Sequence, residues 1–214
     1  MAVVSALKAT RSGRVAVHLD GTYACTVGEG LLVRLGLFAG QSLTDEEVER
    51  LKGEASAERA LADAHRLLAH RPRARAELGA RLASKGHPEQ AVRHALARLE
   101  EQGLLDDHAF ARAYVADRRR LAGWGAERIA RELARLGTTP AAVQAALAEG
   151  GGDDQDELQR ALQILSRPQR VGAPPEAARR RAYQLLLRRG FSTSVAYAAV
   201  RRWVAETPST DDSS

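Results

Sequence analysis

The chain has 214 residues, with 32 lysines and arginines against 27 aspartates and glutamates, and 44% of the residues are apolar but only 4% aromatic. The single cysteine, Cys25, excludes a disulfide framework and a multi-cysteine zinc site, and no apolar run reaches the roughly eighteen residues that span a membrane. Because the N-terminus is unlike a secretory signal, we expect a cytoplasmic protein with a core of leucine, valine and alanine.

The N-terminal segment predicts a small β-meander. Apolar residues recur with period two through residues 5–9, 15–19 and 23–27, which is typical of half-buried antiparallel strands, and Asp20-Gly21 fits a type I′ hairpin turn. The same face is predicted to hold Val15, Val17, Leu19, Tyr23, Cys25 and Val27. Cys25 is therefore interpreted as a small core residue. Two short helices are predicted after the meander, at Leu31–Leu37 and near Asp45–Lys52, the second opened by a Thr44/Glu47 capping box.

From Ser56 onward the apolar spacing of three and four residues predicts nine helices. Gly86, Gly137 and Gly190 each follow a leucine by four residues, and apolar residues recur at matching offsets around all three, which indicates a threefold repeat. The predicted fold is mostly α, a tandem array of three three-helix repeats preceded by an N-terminal β-meander of three antiparallel strands with short helices. The predicted segments are the meander with its helices (1–55), repeat 1 (56–105), repeat 2 (106–150), repeat 3 (151–206) and a disordered tail (207–214). Gly150-Gly151-Gly152 is predicted to be a hinge.

Several motifs carry a family resemblance. They are Arg71–Leu78, Leu82–Gly86, Leu99–Asp107, Phe110-Ala111, Tyr114-Val115, Arg128-Ile129, Glu132-Leu133 and Gly137. In these motifs the chain resembles the RecX family, regulators of the RecA recombinase. The resemblance implies a non-enzymatic protein without a cofactor, which binds the RecA filament and inhibits its recombination, ATPase and co-protease activities. It would thereby modulate homologous recombination, DNA repair and the SOS response.

Arginines near the C-terminus predict contact with DNA. Residues 159–204 contain ten basic residues and one acidic residue, and no acidic residue lies within four positions of Arg181, Arg188 or Arg189. Helical ion pairs therefore cannot neutralise these three, and phosphate is a natural partner for them. We expect sequence-independent binding of single- and double-stranded DNA by Arg179, Arg180, Arg181, Arg188, Arg189, Arg201 and Arg202.

A second basic set lies where the family resemblance is closest and is interleaved with acidic residues, a pattern suited to a specific protein partner. The predicted partner-binding residues are Arg71, Arg73, Arg75, Arg81, Lys85, Arg118, Arg119, Arg120 and Arg128. Trp124 lies in a loop between Gly123 and Gly125, and it is a candidate for stacking on a base. We expect a monomer.

No active site is apparent. Asp106-Asp107 fits a helix cap better than a catalytic pair, and His87 and His94 are expected at the surface without further metal ligands. One alternative is a sequence-specific helix-turn-helix regulator built on residues 128–147, although only Gln144 of its recognition helix could read a base. Another is an α-repeat scaffold that binds only protein.

Overall fold

The structure is a computed structural model that describes residues 1–151, 153–166 and 175–206. Helices dominate these residues and a small antiparallel sheet forms the N-terminal part, which confirms the predicted fold class. The chain divides into two compact units, Met1–Leu105 and Asp106–Ser214. In the described part of the chain, no helix is both long and apolar enough to cross a membrane.

The sheet has four antiparallel strands in the order β3-β2-β1-β4. They are β1 (Ala2–Ala9), β2 (Val15–Leu19), β3 (Thr22–Val27) and β4 (Ser42–Leu43). The first three are the predicted meander. β4 is an addition, since Leu43 and Ser42 pair with Ala2 and Val3 of β1. Two residues are too few to show a period in the sequence, so the prediction missed this strand.

The β2–β3 hairpin follows the prediction at its turn but not along its whole length. Asp20 and Gly21 have φ values of 49° and 81°, as a type I′ turn requires. Val17 pairs with Cys25 while His18 pairs with Tyr23, which leaves one extra residue in β3. Because this bulge reverses the faces of the strand beyond it, Tyr23 is 62% exposed. The predicted burial of Tyr23 is therefore wrong.

Two helices pack against the sheet: α1 (Glu29–Arg34) and α2 (Asp45–His70). The predicted capping box opens α2: the Thr44 hydroxyl accepts from the Glu47 amide at 3.2 Å, and the Glu47 carboxylate accepts from the Thr44 amide at 2.7 Å. These bonds satisfy two backbone donors that a helix start leaves without partners. Cys25 packs against the resulting core, and burial raises the pKa of its thiol, which suits the core role rather than a nucleophile.

α2 is one continuous helix where the sequence predicted two. Its first half places Val48 and Leu51 in the core beneath the sheet, and its second half places Ala60 and Ala64 in a separate core with the helices that follow. The predicted boundary between residues 55 and 56 falls inside it. Gly53, which weakens a helix by only about 1 kcal/mol, does not interrupt it.

The remaining helices follow the predicted order of three repeats. They are α3 (Arg75–Ser84), α4 (Glu89–Glu101), α5 (Asp107–Asp117), a π-helical turn (Arg118–Ala122), α6 (Ala126–Arg135), α7 (Pro140–Glu149), α8 (Asp154–Leu165), α9 (Pro175–Arg189) and α10 (Thr193–Glu206). Counting α2, nine α-helices lie between Asp45 and Glu206 in the described residues. The residue boundaries of the repeats remain a prediction.

The middle helix of each repeat ends in the same way. Gly86, Gly137 and Gly190 have φ values of 83°, 83° and 85°. In all three, the amide of the residue after the glycine donates to the carbonyl of the leucine four positions before the glycine. The bonds are His87 to Leu82 (3.3 Å), Thr138 to Leu133 (3.1 Å) and Phe191 to Leu186 (3.1 Å). This is the Schellman motif, which needs glycine at the left-handed position. The three leucines are fully buried, so the repeated motif fixes an equivalent core position in each repeat.

Within the second unit, Gly125 and Gly190 bring two backbones together. Gly125 donates its amide to Arg189 O at 2.8 Å, and Glu127 donates to Gly190 O at 3.1 Å. A β-carbon on Gly190 would lie 2.5 Å from the Arg128 nitrogen, and one on Gly125 would lie 2.4 Å from Gly190 O. The start of α6 and the turn after α9 therefore depend on glycine at both positions.

The predicted hinge at Gly150 and Gly151 stays a prediction, although both glycines have hydrogen-bonded carbonyls. Arg119 donates to the Gly150 carbonyl and Arg160 donates to the Gly151 carbonyl, so both residues are held by side chains from neighbouring helices. Gly152 and the predicted tail at 207–214 lie outside the described residues.

Candidate functional site

Most of the predicted DNA-binding arginines of α9 and α10 lie on the sides of these helices that face away from the core. Ala182 and Leu186 of α9 and Ala196 of α10 are completely buried. Five arginines are exposed and form no ion pair with any described residue: Arg179, Arg180, Arg181, Arg188 and Arg201. Arg202 is exposed but pairs with Glu206 at 2.8 Å. Arg189 is half-buried.

The predicted partner residues Arg118, Arg119 and Arg120 point to three different neighbours. They occupy the π-helical turn, in which the wider helix changes the direction of each side chain. The Arg118 guanidinium lies 4.7 Å from the centre of the Tyr114 ring and 5.2 Å from that of Trp124. Arg120 is exposed and lies 3.5 Å from the Asp117 carboxylate.

The Arg119 side chain is largely buried, and its membership of the partner set stays a prediction. Its side chain is only 8% exposed, and it lies 3.2 Å from the carboxylate of Glu157, whose side chain is 6% exposed. Burial, followed by the nearby charge of Arg160, lowers the pKa of Arg119. The guanidinium therefore stabilises the second unit from inside and offers little surface to a partner. This pairing could not be predicted from sequence spacing, because Glu157 lies 38 positions away.

Trp124 is flanked by cations. Arg128 lies 4.0 Å from the centre of its ring and also donates a hydrogen bond to Arg188 O at 3.2 Å. Such stacking on an indole stabilises the pair by about 0.5–1 kcal/mol at an exposed site. Arg128, from the predicted partner set, and Arg188, from the predicted DNA set, are therefore direct neighbours in the second unit.

In the first unit, most predicted partner residues are already paired. Arg71 and Arg73 both bind the Glu77 carboxylate, and Arg75 lies 2.6 Å from Glu100. The Arg73 side chain is only 10% exposed and also donates to the Leu67 carbonyl, so it packs into the first unit, and its role in partner binding stays a prediction.

Two further members of that set also lie at the surface. Lys85 lies 3.6 Å from Asp63, and Arg81 is exposed without an ion pair to a described residue. Arg81 is therefore the cation of this set that is most available to a partner.

The predicted surface position of His87 is wrong. His87 is buried and its Nε2 lies 2.8 Å from an Asp63 carboxylate oxygen, which is also buried. Burial alone would raise the pKa of Asp63, but the His87 hydrogen bond and the charges of Arg66 and Lys85 together lower it. His87 follows the repeat glycine, a position filled by Thr138 and Phe191 in the other repeats. That alignment was the signal that could have predicted its burial.

Asp106 caps α5, as predicted. Its carboxylate accepts from the amides of His108 at 2.8 Å and Ala109 at 3.0 Å, and these backbone bonds, that of Ala109 first, lower its pKa. The structure thus uses Asp106 to begin a helix. Thr139 caps α7 in the same way, accepting from Ala142 at 3.3 Å.

A cleft in the second unit brings together arginines that were predicted to lie on different surfaces. It encloses about 450 Å³ between the π-helical turn, α8 and the end of α9. Four of its lining residues are arginines: Arg119, Arg120, Arg160 and Arg189. No acidic residue lines it among the described residues. We call this feature the arginine cleft. Arg160 was not predicted, since it is isolated in sequence.

The fold and these surfaces define a helical-repeat protein whose charged chemistry is concentrated in arginine clusters. Family models describing the first and second three-helix domains of RecX match residues 60–99 and 106–147. The regulatory protein RecX of Geobacillus kaustophilus is 31% identical over 188 residues, 87% of this chain and 70% of the relative. That of Mycolicibacterium smegmatis is 38% identical over 141 residues, 63% of this chain and 74% of the relative.

Two solved structures share the fold. A crystal structure of a regulatory protein RecX matches with a TM-score of 0.68 and 24% identity over 94% of this chain and all of that chain. RecX from Lactobacillus salivarius matches with a TM-score of 0.59 and 18% identity over 69% of this chain and 96% of that one. The chain belongs to the RecX family of regulatory proteins.

Proposed function

We propose that this protein binds the RecA filament and DNA and inhibits the recombination, ATPase and co-protease activities of RecA. It would act in the cytoplasm as a monomer and without catalysis, as a modulator of homologous recombination, DNA repair and the SOS response. Membership of the RecX family supports a regulatory role. The observation that carries DNA binding is the group of exposed arginines on α9 and α10 without ion pairs among the described residues.

These arginines suit phosphate rather than bases. A guanidinium in water gains most from an anion when no carboxylate of its own chain competes for it. The three-residue run Arg179–Arg181 and the later Arg188 are in that situation within the described residues. If about five phosphates are neutralised, log affinity for single strands should fall against log salt with a slope of about −3 to −4. We propose binding that does not depend on base sequence.

The first unit presents a different kind of surface, which we propose meets RecA. Arg71 and Arg75 are half-exposed and each is held against a carboxylate. Positive and negative groups therefore alternate there, an arrangement that favours a protein with the complementary pattern over a uniform polyanion. Arg81 is the exposed cation of this surface without an ion pair to a described residue.

The sequence-specific helix-turn-helix alternative is less well supported. α7 would be its recognition helix, but Ala142, Val143 and Ala146 are buried and the helix packs against α5. Gln144 is an exposed residue of α7 with a side chain suited to reading a base. The protein-only scaffold remains the second candidate, because the charge pattern of the first unit would serve it equally.

One experiment tests the proposal and separates the two surfaces. The full-length protein is titrated with DNA alone, RecA alone and the RecA–DNA filament, and inhibition of DNA-dependent ATP hydrolysis by RecA is measured in parallel. Arg179, Arg180 and Arg181 replaced by Gln should weaken DNA binding and flatten its salt dependence, with inhibition recovered at higher protein concentration. Arg71 and Arg81 replaced by Gln should reduce inhibition while most DNA affinity remains.

The matched control is Arg135→Gln, which removes an exposed arginine of α6 that belongs to neither set. Unchanged circular dichroism is required of every variant, because arginine stems also pack. Salt-independent binding or strong preference for one duplex sequence would refute the DNA part of the proposal. Equal loss of DNA binding and inhibition in both sets would show that the surfaces act as one.

A further inference from the structure

The arginine cleft carries more positive charge than its surroundings neutralise. Glu157 lies behind it and is fully used: its carboxylate accepts from Arg119 at 3.2 Å, Arg160 at 2.9 Å and the Ala126 amide at 3.3 Å. Asp156 also acts on Arg119 and Asp117 pairs with Arg120, so three carboxylates stand near the four guanidiniums that line the cleft. Of the four, Arg189 has no ion pair with a described residue.

Two arginines that line the cleft also carry a buried nitrogen without a hydrogen-bond partner. The Nε atoms of Arg119 and Arg160 are buried and have no partner in the described residues, although a buried donor without a partner costs about 1–3 kcal/mol. Burial and the nearby charge of Arg160 both disfavour the charged form of Arg119, and they lower its pKa. An anion in the cleft would offset this electrostatic cost.

The shape of the cleft depends on Gly123. This residue has a φ of 60°, and a β-carbon there would lie 2.8 Å from Nη1 of Arg189 and 3.4 Å from the Ile164 side chain. A side chain at this position would therefore fill the space beside the Arg189 guanidinium. With glycine, that guanidinium stays open to a ligand.

One wall of the cleft is apolar. Leu121 and Ile164 line it together with Trp124, and Leu121 is 67% exposed, a high value for a leucine beside a charged cleft. A ligand that combines an anion with a flat apolar group would cover both parts. A nucleotide within a flexible strand has this composition, whereas the stacked bases of a duplex are not free to turn toward such a wall.

We infer that the arginine cleft binds a phosphate of single-stranded nucleic acid while the adjoining base packs against Leu121. The cleft thereby gives the protein a preference for single strands, which the exposed arginines of α9 and α10 do not supply because they meet any phosphate backbone. This inference rests on the proposed DNA binding and adds a site and a strand preference to it.

The test uses the full-length protein with Trp203→Phe, so that Trp124 is the only tryptophan and reports from the cleft. It is titrated with an oligothymidylate of about 12 nucleotides and with a duplex of the same length. Arg120→Gln and Leu121→Ser alter exposed residues of the cleft. Arg131→Gln is the matched control, since it removes an exposed arginine from α6 of the same unit.

We expect the single strand to change Trp124 fluorescence and to bind more tightly than the duplex. Arg120→Gln, which removes one charged contact, and Leu121→Ser, which removes the apolar contact with the base, should each weaken single-strand binding by about fivefold to tenfold and duplex binding by less than about twofold. Arg131→Gln should change both by less than about twofold.

Equal weakening of both DNA forms by the cleft variants would overturn the inference and leave the proposed function standing. Saturation by single strand without a change in Trp124 fluorescence would do the same, as would a polyglutamate peptide that changes this fluorescence when the oligothymidylate does not. Failure of the parent protein to bind either DNA form would instead refute the proposed DNA binding itself.

Discussion

Replacing Gly190 by alanine should destabilise the second unit far more than the same change at Gly86. Both glycines have φ near 84° and close the middle helix of a repeat, so alanine costs about 1 kcal/mol at each from backbone conformation alone. At Gly86 a β-carbon would meet no heavy atom within 4 Å. At Gly190 it would lie 2.2 Å from the Arg128 β-carbon, so one backbone must move away from the other.

That movement breaks two backbone hydrogen bonds, from Gly125 to Arg189 and from Glu127 to Gly190, each worth about 1 kcal/mol. We therefore expect a loss of about 3–4 kcal/mol for Gly190→Ala and about 1 kcal/mol for Gly86→Ala. With a urea m-value of about 1.5 kcal/mol/M, the larger loss moves the unfolding midpoint by about 2 M.

Urea titration followed by two probes measures this difference. Both tryptophans, Trp124 and Trp203, lie in the second unit, so fluorescence follows that unit, while circular dichroism follows the helices of the whole chain. Gly190→Ala should shift the fluorescence transition, and Gly86→Ala should appear in circular dichroism. If the two substitutions cost the same within about 0.5 kcal/mol, the close approach at Gly190 does not constrain the fold and the reasoning is refuted.

Two further predictions concern buried carboxylates. Glu157→Gln should destabilise the second unit by about 2–4 kcal/mol in the same titration, because Arg119 stays buried without its counter-charge, whereas the exposed control Glu149→Gln should cost less than about 1 kcal/mol. Asp63→Asn should lower the free energy of unfolding at neutral pH, with a deficit that shrinks in acid. The pKa of Asp63 is lower in the folded state, so its stabilisation is complete above the unfolded value of about 3.9 and is lost as the pH falls through the folded value.

Each of these predictions has a clear contrary result. Equal losses in the free energy of unfolding for the Glu157 and Glu149 substitutions would mean that the buried Arg119–Glu157 ion pair does not stabilise the fold. For Asp63, the difference between parent and variant is measured in urea from pH 7 to about pH 3. A difference that grows below about pH 4 would contradict the sign derived from the lowered pKa.

The repeats could be predicted because their main determinant is local. Gly86, Gly137 and Gly190 each need a left-handed conformation one step past a helix, and the buried leucine lies four residues earlier in the same helix. Both features are visible in sequence spacing. The capping residues Thr44 and Asp106 were predictable for the same reason, since a cap and the amides that it binds lie within three positions.

The roles of the arginines were less predictable because they depend on distant residues. Arg119 and Arg120 are adjacent in sequence, but Arg119 is buried against Glu157 while Arg120 stays exposed. Arg73 resembles Arg71 in sequence context, yet its additional bond to the Leu67 carbonyl draws it inward. Tyr23 shows the corresponding limit for strands: a bulge of one residue reverses a face, and alternation alone does not locate the bulge.

The π-helical turn has a consequence for mutagenesis. It accommodates an extra residue in the last turn of α5, and in a regular α-helix each residue turns the next by about 100°. Arg118 lies against an aromatic pair, Arg119 against a buried carboxylate and Arg120 in the arginine cleft. The direction of each side chain therefore depends on how many residues the turn contains as much as on which residues they are. Deleting a single codon here would redirect all three side chains at once, a change that no series of point substitutions reproduces.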